Sequence, residues 1–150
     1  MTDPTTSNPA LAELAFLVGD WDMALSGASF LPDPEQVIRG NFGCSWIEGG
    51  AALAMHQGGP EPPIATWIIG RDEASVDYSV LYSDDRGVSR IYAMSLRDNR
   101  WRLWRDSAQF AQRFEATLSD DRNSIAGQWE KSSDGREWEH DFNVTYTRLS

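Results

Sequence analysis

The segment EWEHDFNVTYTR (residues 137–148) near the end of the chain contains the side chain best suited to chemistry. Successive side chains of an extended strand point to opposite faces, so His140 would share a face with Phe142, Val144 and Tyr146. A histidine has a pKa near neutrality and can transfer protons or ligate a metal. We therefore expect His140 to be either a functional residue or a hydrogen-bonded residue at the rim of an apolar face.

A second candidate site lies on a predicted hairpin around residues 108–109. This hairpin would pair Arg105 with Gln112, and both side chains would then fall on the same face as Leu103 and Phe114. Arginine and glutamine together can hold a carboxylate or another polar head group. The same two residues can also form a solvated pair at the lip of a barrel, and this alternative stays open.

Short strands separated by turn sequences must position these residues. Clusters of Gly, Pro, Asp and Asn, such as SDDRG (83–87) and DN (98–99), predict tight chain reversals, which favour antiparallel neighbours. The sequence predicts an all-β fold, a ten-stranded antiparallel up-and-down barrel, because closure removes the edges of such a sheet. The predicted strands are 20–27, 36–48, 51–57, 64–71, 76–83, 89–97, 100–107, 110–118, 124–131 and 137–149.

The segment NPALAELAFLVG (8–19) predicts a short N-terminal helix that caps the barrel. Asn8 or Ser7 can cap its start, Pro9 suits its first turn, and Gly19 can end it. The length of 150 residues indicates a single domain, 1–150. Residues 1–8 are expected to be a disordered lead.

Gly19-x-Trp21 after a capping helix, together with Arg148 in the last strand, resembles the calycin superfamily. That superfamily includes lipocalins, fatty-acid-binding proteins and nitrobindins. With AQRFEATLSDD and WEHDFNVTYTR, the chain is most similar to uncharacterised bacterial lipocalin-like proteins. The resemblance implies that Trp21 seals the closed end of the barrel and that Arg148 lies over it. A cation over an indole ring contributes about 1 kcal/mol.

In an up-and-down barrel, odd strands run from the Trp21 end to the open mouth and even strands return. His140 precedes Arg148 by eight residues, which is about 26 Å of strand at about 3.3 Å per residue and places it near the mouth. His56, Tyr82 and Arg90 reach the same level. The predicted ligand-binding residues are Arg105, His140, Gln112, Tyr82, His56, Arg90, Trp101, Phe114, Trp129 and Phe142.

The predicted function is the binding of a small hydrophobic or amphipathic ligand inside the barrel. Its polar head would lie at a rim of Arg, His and Tyr side chains. One alternative is a haem protein of nitrobindin type with His140 as the axial ligand, since haem needs only one protein ligand. Another is a cyclase or isomerase that uses His140 as a general acid or base. Whether the protein is an enzyme is left open.

The net charge of −10 argues against nucleic acid and anionic membrane surfaces as partners. Two histidines and the single Cys44 form no recognisable metal motif, so we expect no metal site and no cofactor apart from the haem alternative. The lone cysteine also forms no intrachain disulfide, which favours a cytoplasmic location. A homodimer is left open.

Overall fold

The computed structural model describes residues 8–33, 35–58 and 64–149. Residues 1–7 of the predicted disordered lead lie outside this part of the chain, and Asn8 is the N-cap of a helix. The elements are a 3-10 helix Pro9–Leu17, β1 Gly19–Ser26, β2 Ile38–Ile47, a 3-10 turn Glu48–Gly50, β3 Ala52–Gly58, β4 Ala65–Gly70, β5 Tyr78–Asp84, β6 Ser89–Arg97, β7 Arg100–Arg105, β8 Ala111–Leu118, β9 Ser124–Ser132 and β10 Glu139–Arg148.

The ten strands form one closed antiparallel barrel, which confirms the predicted fold class. Each strand pairs with its neighbours along the chain, and β1 pairs with β10 to close the sheet. The predicted register of the β7–β8 hairpin is correct, since Arg105 lies opposite Gln112. The predicted turn at Asp98 and Asn99 joins β6 to β7, and both residues have positive φ angles of 54° and 60°. A two-residue turn of this kind matches the twist of the paired strands.

The N-terminal helix is a 3-10 helix rather than an α-helix. Leu11, Leu14 and Leu17 are buried, and their spacing of three places them in line on one side of a helix with three residues per turn. The Asn8 side chain caps the helix by accepting a hydrogen bond of 3.0 Å from the Ala10 amide. No helix among the described residues is long and apolar enough to cross a membrane.

Trp21 closes the end of the barrel beneath this helix. Its side chain is 0% exposed, and its indole N–H donates to the Leu17 carbonyl at 2.9 Å. The Arg148 guanidinium carbon lies 4.4 Å from the centre of the Trp21 ring, which confirms the predicted cation–π contact. Arg148 also donates to the carbonyls of Phe16 and Val18. These bonds fasten the helix to the last strand, so the closed end is held by packing and by hydrogen bonds together.

Gly127 on β9 permits close packing against β8. A Cβ atom at this position would lie 2.6 Å from the Ala116 Cβ and 2.8 Å from Cε1 of Phe114, closer than real contacts allow. Gly127→Ala is therefore expected to lower the free energy of unfolding by about 1–3 kcal/mol, as overpacking does in other cores. Urea unfolding followed by tryptophan fluorescence measures this change.

Gly70→Ala is the matched control, because Gly70 also lies in a strand and nothing stands within 4 Å of a Cβ there. We expect this substitution to change the free energy of unfolding by about 0.5 kcal/mol or less. Equal losses for the two variants would contradict the steric explanation.

Candidate ligand-binding site

A cavity of about 320 Å³ lies at the end of the barrel away from Trp21 and extends down to Met23 and Tyr146. Its wall is mainly aliphatic and aromatic, and a few polar side chains lie among these. This volume is within the range of about 300–1,000 Å³ typical of small-molecule sites. The lining residues are Met23, Leu25, Phe30, Ile38, Gln57, Trp67, Tyr82, Arg86, Arg90, Tyr92, Phe110, Gln112, Trp129, Asp141, Phe142, Val144 and Tyr146.

Gln112 is the centre of one polar cluster in the cavity wall. It is 7% exposed, and its Oε1 accepts hydrogen bonds from the Tyr92 hydroxyl at 2.5 Å and from Nη1 of Arg90 at 3.4 Å. Burial raises the pKa of Tyr92, and the guanidinium groups of Arg90 and Arg105 partly offset that shift. The Tyr92 hydroxyl is therefore a neutral donor at physiological pH, and the wall carries positive charge beside it.

Asp84 organises a second polar cluster at the β5–β6 turn. Its carboxylate accepts hydrogen bonds from the Tyr82 hydroxyl at 2.6 Å and from Nη2 of Arg86 at 2.7 Å. The Arg86 bond holds the pKa of Asp84 well below its usual range. Burial, followed by the bond to Asp84, raises the pKa of Tyr82. The turn thus fixes Tyr82 and Arg86 against the cavity and neutralises the charge of Arg86.

The connection between β1 and β2 passes over the mouth. The Ser29 amide donates to the Asp141 carbonyl at 2.7 Å, and the Ser29 hydroxyl donates to Oδ1 of Asp141 at 3.1 Å. Lys131 Nζ lies 3.1 Å from the Ser29 hydroxyl and 3.7 Å from Oδ1 of Asp141. The rings of Phe30 and Phe142 meet edge to face, with centroids 6.0 Å apart. Polar and aromatic contacts therefore hold this connection against β10.

The prediction that His140 faces the barrel interior is wrong. A β-bulge between His140 and Phe142 adds one residue to β10 opposite β9. The extra residue reverses the alternation, so Asp141 is buried at 7% exposure and lines the cavity, whereas His140 is exposed. The sequence does not reveal this bulge, because Phe142, Val144 and Tyr146 after it still alternate with polar residues. Extending that alternation back to residue 138 places His140 on the inner face.

His56 and Arg105 also lie away from the cavity lining. His56 is exposed on the outer face of β3, where its Nδ1 lies 3.2 Å from the Thr66 hydroxyl. Its neighbour Gln57 lines the cavity instead, in step with Leu53 and Met55 along the strand. Arg105 is half-buried at the end of β7 and lines an open groove on the outside of the rim. Its positive charge still acts on the Tyr92 hydroxyl and lowers the pKa of that group, against the effect of burial.

Trp101 and Phe114 lie in the packed core and not in the cavity wall. They are 1% and 2% exposed, and their rings meet edge to face at 5.4 Å. The tilted contact of Phe114 with Trp129, with centroids 5.0 Å apart, separates this core from the cavity. The predicted pocket is therefore deeper than the observed one, because side chains fill its lower part.

Five of the predicted residues do line the cavity, namely Gln112, Tyr82, Arg90, Trp129 and Phe142. Sequence reasoning missed Tyr92, although its spacing of two from Arg90 puts both side chains on one face. It also missed Arg86, which lies in the connection between β5 and β6, where alternation predicts nothing about side-chain direction. Phe110 was missed as well, although the predicted strand 110–118 puts it on the same face as Gln112.

Haem held by a histidine would need that side chain to reach the cavity. The chain has two histidines, His56 and His140, and both are exposed on the outside of the barrel. The residues present therefore do not fit His140 as the axial ligand of a haem in this cavity. For the same reason, His140 does not fit the role of a general acid or base for a molecule bound there.

The fold and the cavity together define the class of protein, a closed ten-stranded antiparallel β-barrel with a cavity at one end. No protein-family model matches the chain, and no match was found among curated proteins. A solved structure, that of Rv2717c from M. tuberculosis, is similar, with a TM-score of 0.68 and 12% sequence identity. The match covers 95% of this chain and 99% of that one. At this identity the similarity shows the barrel fold alone, and the calycin assignment stays a prediction.

Proposed function

We propose that the protein binds one small amphipathic molecule inside the barrel, with its apolar body in the cavity and its polar head near Gln112. The cavity itself carries the proposal, because the other half of the barrel is packed and this space is bounded by large apolar rings. Close packing is the usual state of a protein interior, so a space of this size and shape favours an occupant.

The apolar wall supports an apolar body for the ligand. Trp67 and Trp129 meet at 6.3 Å between ring centroids, and the Tyr92 ring lies 5.7 Å from that of Trp129. Val144 and Leu25 add aliphatic surface from adjacent strands, where they are opposite each other. Burial of ligand surface against such walls stabilises a complex by about 25 cal/mol per Å² before the cost of association.

The neutral fluorescent probe N-phenyl-1-naphthylamine tests this proposal. We expect saturable one-to-one binding that quenches tryptophan emission, since Trp67 and Trp129 line the cavity. Val144→Phe places a larger side chain in the cavity and should weaken binding at least about tenfold, because the probe must then displace a ring. Leu25→Phe provides an independent filling variant.

Ile91→Phe is the matched control, since Ile91 is 71% exposed on the outer face of the barrel. We expect its affinity for the probe to equal that of the wild type. Circular dichroism checks that each variant is folded. Binding that both filling variants leave unchanged would place the probe on the surface and contradict the proposal.

A further inference from the structure

Three arginines, from the β5–β6 connection, β6 and β7, lie on one side of the mouth of the cavity, and their charges are not balanced in the same way. Arg86 is neutralised by Asp84, with its Nη2 at 2.7 Å from the carboxylate. Among the described residues, no carboxylate oxygen lies within 4.0 Å of a guanidinium nitrogen of Arg90 or Arg105. In a chain with a net charge of −10, this pair of cations at one mouth is a distinct local feature.

The partner that holds Arg90 is a neutral amide and not an acid. Nη1 of Arg90 donates to Oε1 of Gln112 at 3.4 Å, and the guanidinium carbon lies 4.8 Å from the centre of the Phe110 ring. These contacts orient the side chain without cancelling its charge. Because Oε1 of Gln112 already accepts two hydrogen bonds, its amide nitrogen is the part that can still donate to a ligand.

The carboxylate that lines the cavity, Asp141, does not cancel this charge. It belongs to the opposite cluster, where Oδ1 accepts from the Ser29 hydroxyl at 3.1 Å and lies 3.7 Å from Nζ of Lys131. Asp84 pairs with Arg86, and Asp141 pairs with Lys131. Among the described residues that line the cavity, Arg90 is therefore the charged side chain without an oppositely charged partner. Arg90 is half-buried, and a partly desolvated cation of this kind favours an anionic occupant, since charge-assisted hydrogen bonds are about twice as strong as neutral ones.

We propose that the ligand of this cavity is a monoanion with an apolar body, and that its acidic head group is held by the Arg90 guanidinium and the Gln112 amide. Arg105 adds a longer-range attraction from the rim. This inference rests on the proposed function, since it assigns the charge of the ligand in the same cavity.

A pair of probes with a common body separates the two proposals. 1-Anilinonaphthalene-8-sulfonate and N-phenyl-1-naphthylamine share the same ring system, and only the first carries a negative charge. We expect the full-length protein to bind the sulfonate at least about tenfold more tightly. Arg90→Gln should remove about tenfold of the affinity for the sulfonate and change the affinity for the neutral probe less than about twofold.

Arg97→Gln is the matched control, because Arg97 ends the same strand at the opposite end of the barrel and lies 64% exposed. It should leave both affinities unchanged. Arg105→Gln provides a second variant at the mouth, with an expected loss of about threefold for the sulfonate alone.

Each result bears on one proposal or on both. If the neutral probe binds in the cavity while both arginine variants bind the sulfonate as the wild type does, the assignment of an anion is overturned and the proposed function stands. If neither probe binds to the wild type, both proposals fail. A loss confined to the sulfonate in Arg90→Gln supports the assignment of an anionic head group.

Discussion

Trp21→Ala is expected to lower the free energy of unfolding by about 3–5 kcal/mol, in the range of large-to-small substitutions in a packed core. The indole is 0% exposed and stacks on Phe42, with centroids 5.7 Å apart and planes 4° from parallel. Its removal would leave a void beneath the 3-10 helix and leave the Leu17 carbonyl without its 2.9 Å hydrogen bond. Arg148 would lose the ring over which its charge lies.

Urea unfolding followed by far-ultraviolet circular dichroism measures this loss. Trp104→Ala is the matched control, since Trp104 is half-buried on the outer face and contacts Arg102. We expect that variant to lose about 1 kcal/mol or less. A comparable loss in both variants would contradict the role of Trp21 as the element that seals the barrel. Because Trp21 does not line the cavity, the folded Trp21→Ala protein should keep its affinity for a cavity probe.

Asp84→Ala is expected to lower the free energy of unfolding by about 2–3 kcal/mol, since it removes an acceptor shared by several donors. The carboxylate side chain is 0% exposed. It accepts from the Tyr82 hydroxyl at 2.6 Å and from the Arg86 amide at 2.9 Å, besides the Arg86 guanidinium. The substitution would leave the Tyr82 hydroxyl without its acceptor, so the β5–β6 turn should loosen at the mouth of the cavity.

The contribution of Asp84 also depends on pH with a definite sign. The Arg86 hydrogen bond depresses the pKa of Asp84 in the folded protein below its ordinary value of 3.8. Stability from the ionised carboxylate is therefore fully present above that ordinary value and is lost as the pH falls through the folded one. The difference in free energy of unfolding between wild type and Asp84→Ala should be largest near pH 7 and shrink below about pH 4.

Asp85→Ala is the control for both measurements, because Asp85 is the exposed neighbour in the same turn and keeps its backbone bond to Ile64. We expect it to change the free energy of unfolding by about 0.5 kcal/mol or less at either pH. A constant difference between wild type and Asp84→Ala across this pH range would show that the carboxylate is not the stabilising group.

The barrel could be predicted because its signals are local and repeated. Alternation within each strand and turn residues between strands specify antiparallel hairpins one at a time, as the pair Arg105 and Gln112 illustrates. Trp21 and Arg148 could be placed together because closure of an even number of antiparallel strands brings the last strand beside the first. Each hairpin is predicted from residues adjacent in sequence, and the contact of Trp21 with Arg148 from one rule of topology. An error in one strand boundary therefore does not change the prediction for the next strand.

The depth of the cavity could not be predicted in the same way. Trp101, Phe114 and Trp129 all lie on inward faces, and alternation treats them alike. In the barrel, Trp101 and Phe114 pack against each other in the core, while Trp129 borders an open space. How side chains from strands far apart in sequence fill a common volume depends on their three-dimensional packing, which no local pattern contains.

From the residue order alone follow the all-β class, the ten strands and the register of the β7–β8 hairpin, because hydrogen-bonded turns and two-residue periodicity are properties of short segments. The position of Trp21 at the closed end was implied by the resemblance to calycins. The tertiary structure decided which polar side chains face the cavity. One extra residue in β10 turned His140 outward and Asp141 inward. The bulge depends on the pairing of β9 with β10 and on the contact of Asp141 with Ser29, which are far apart in sequence. Which polar side chain of β10 is buried is therefore decided only in the assembled barrel.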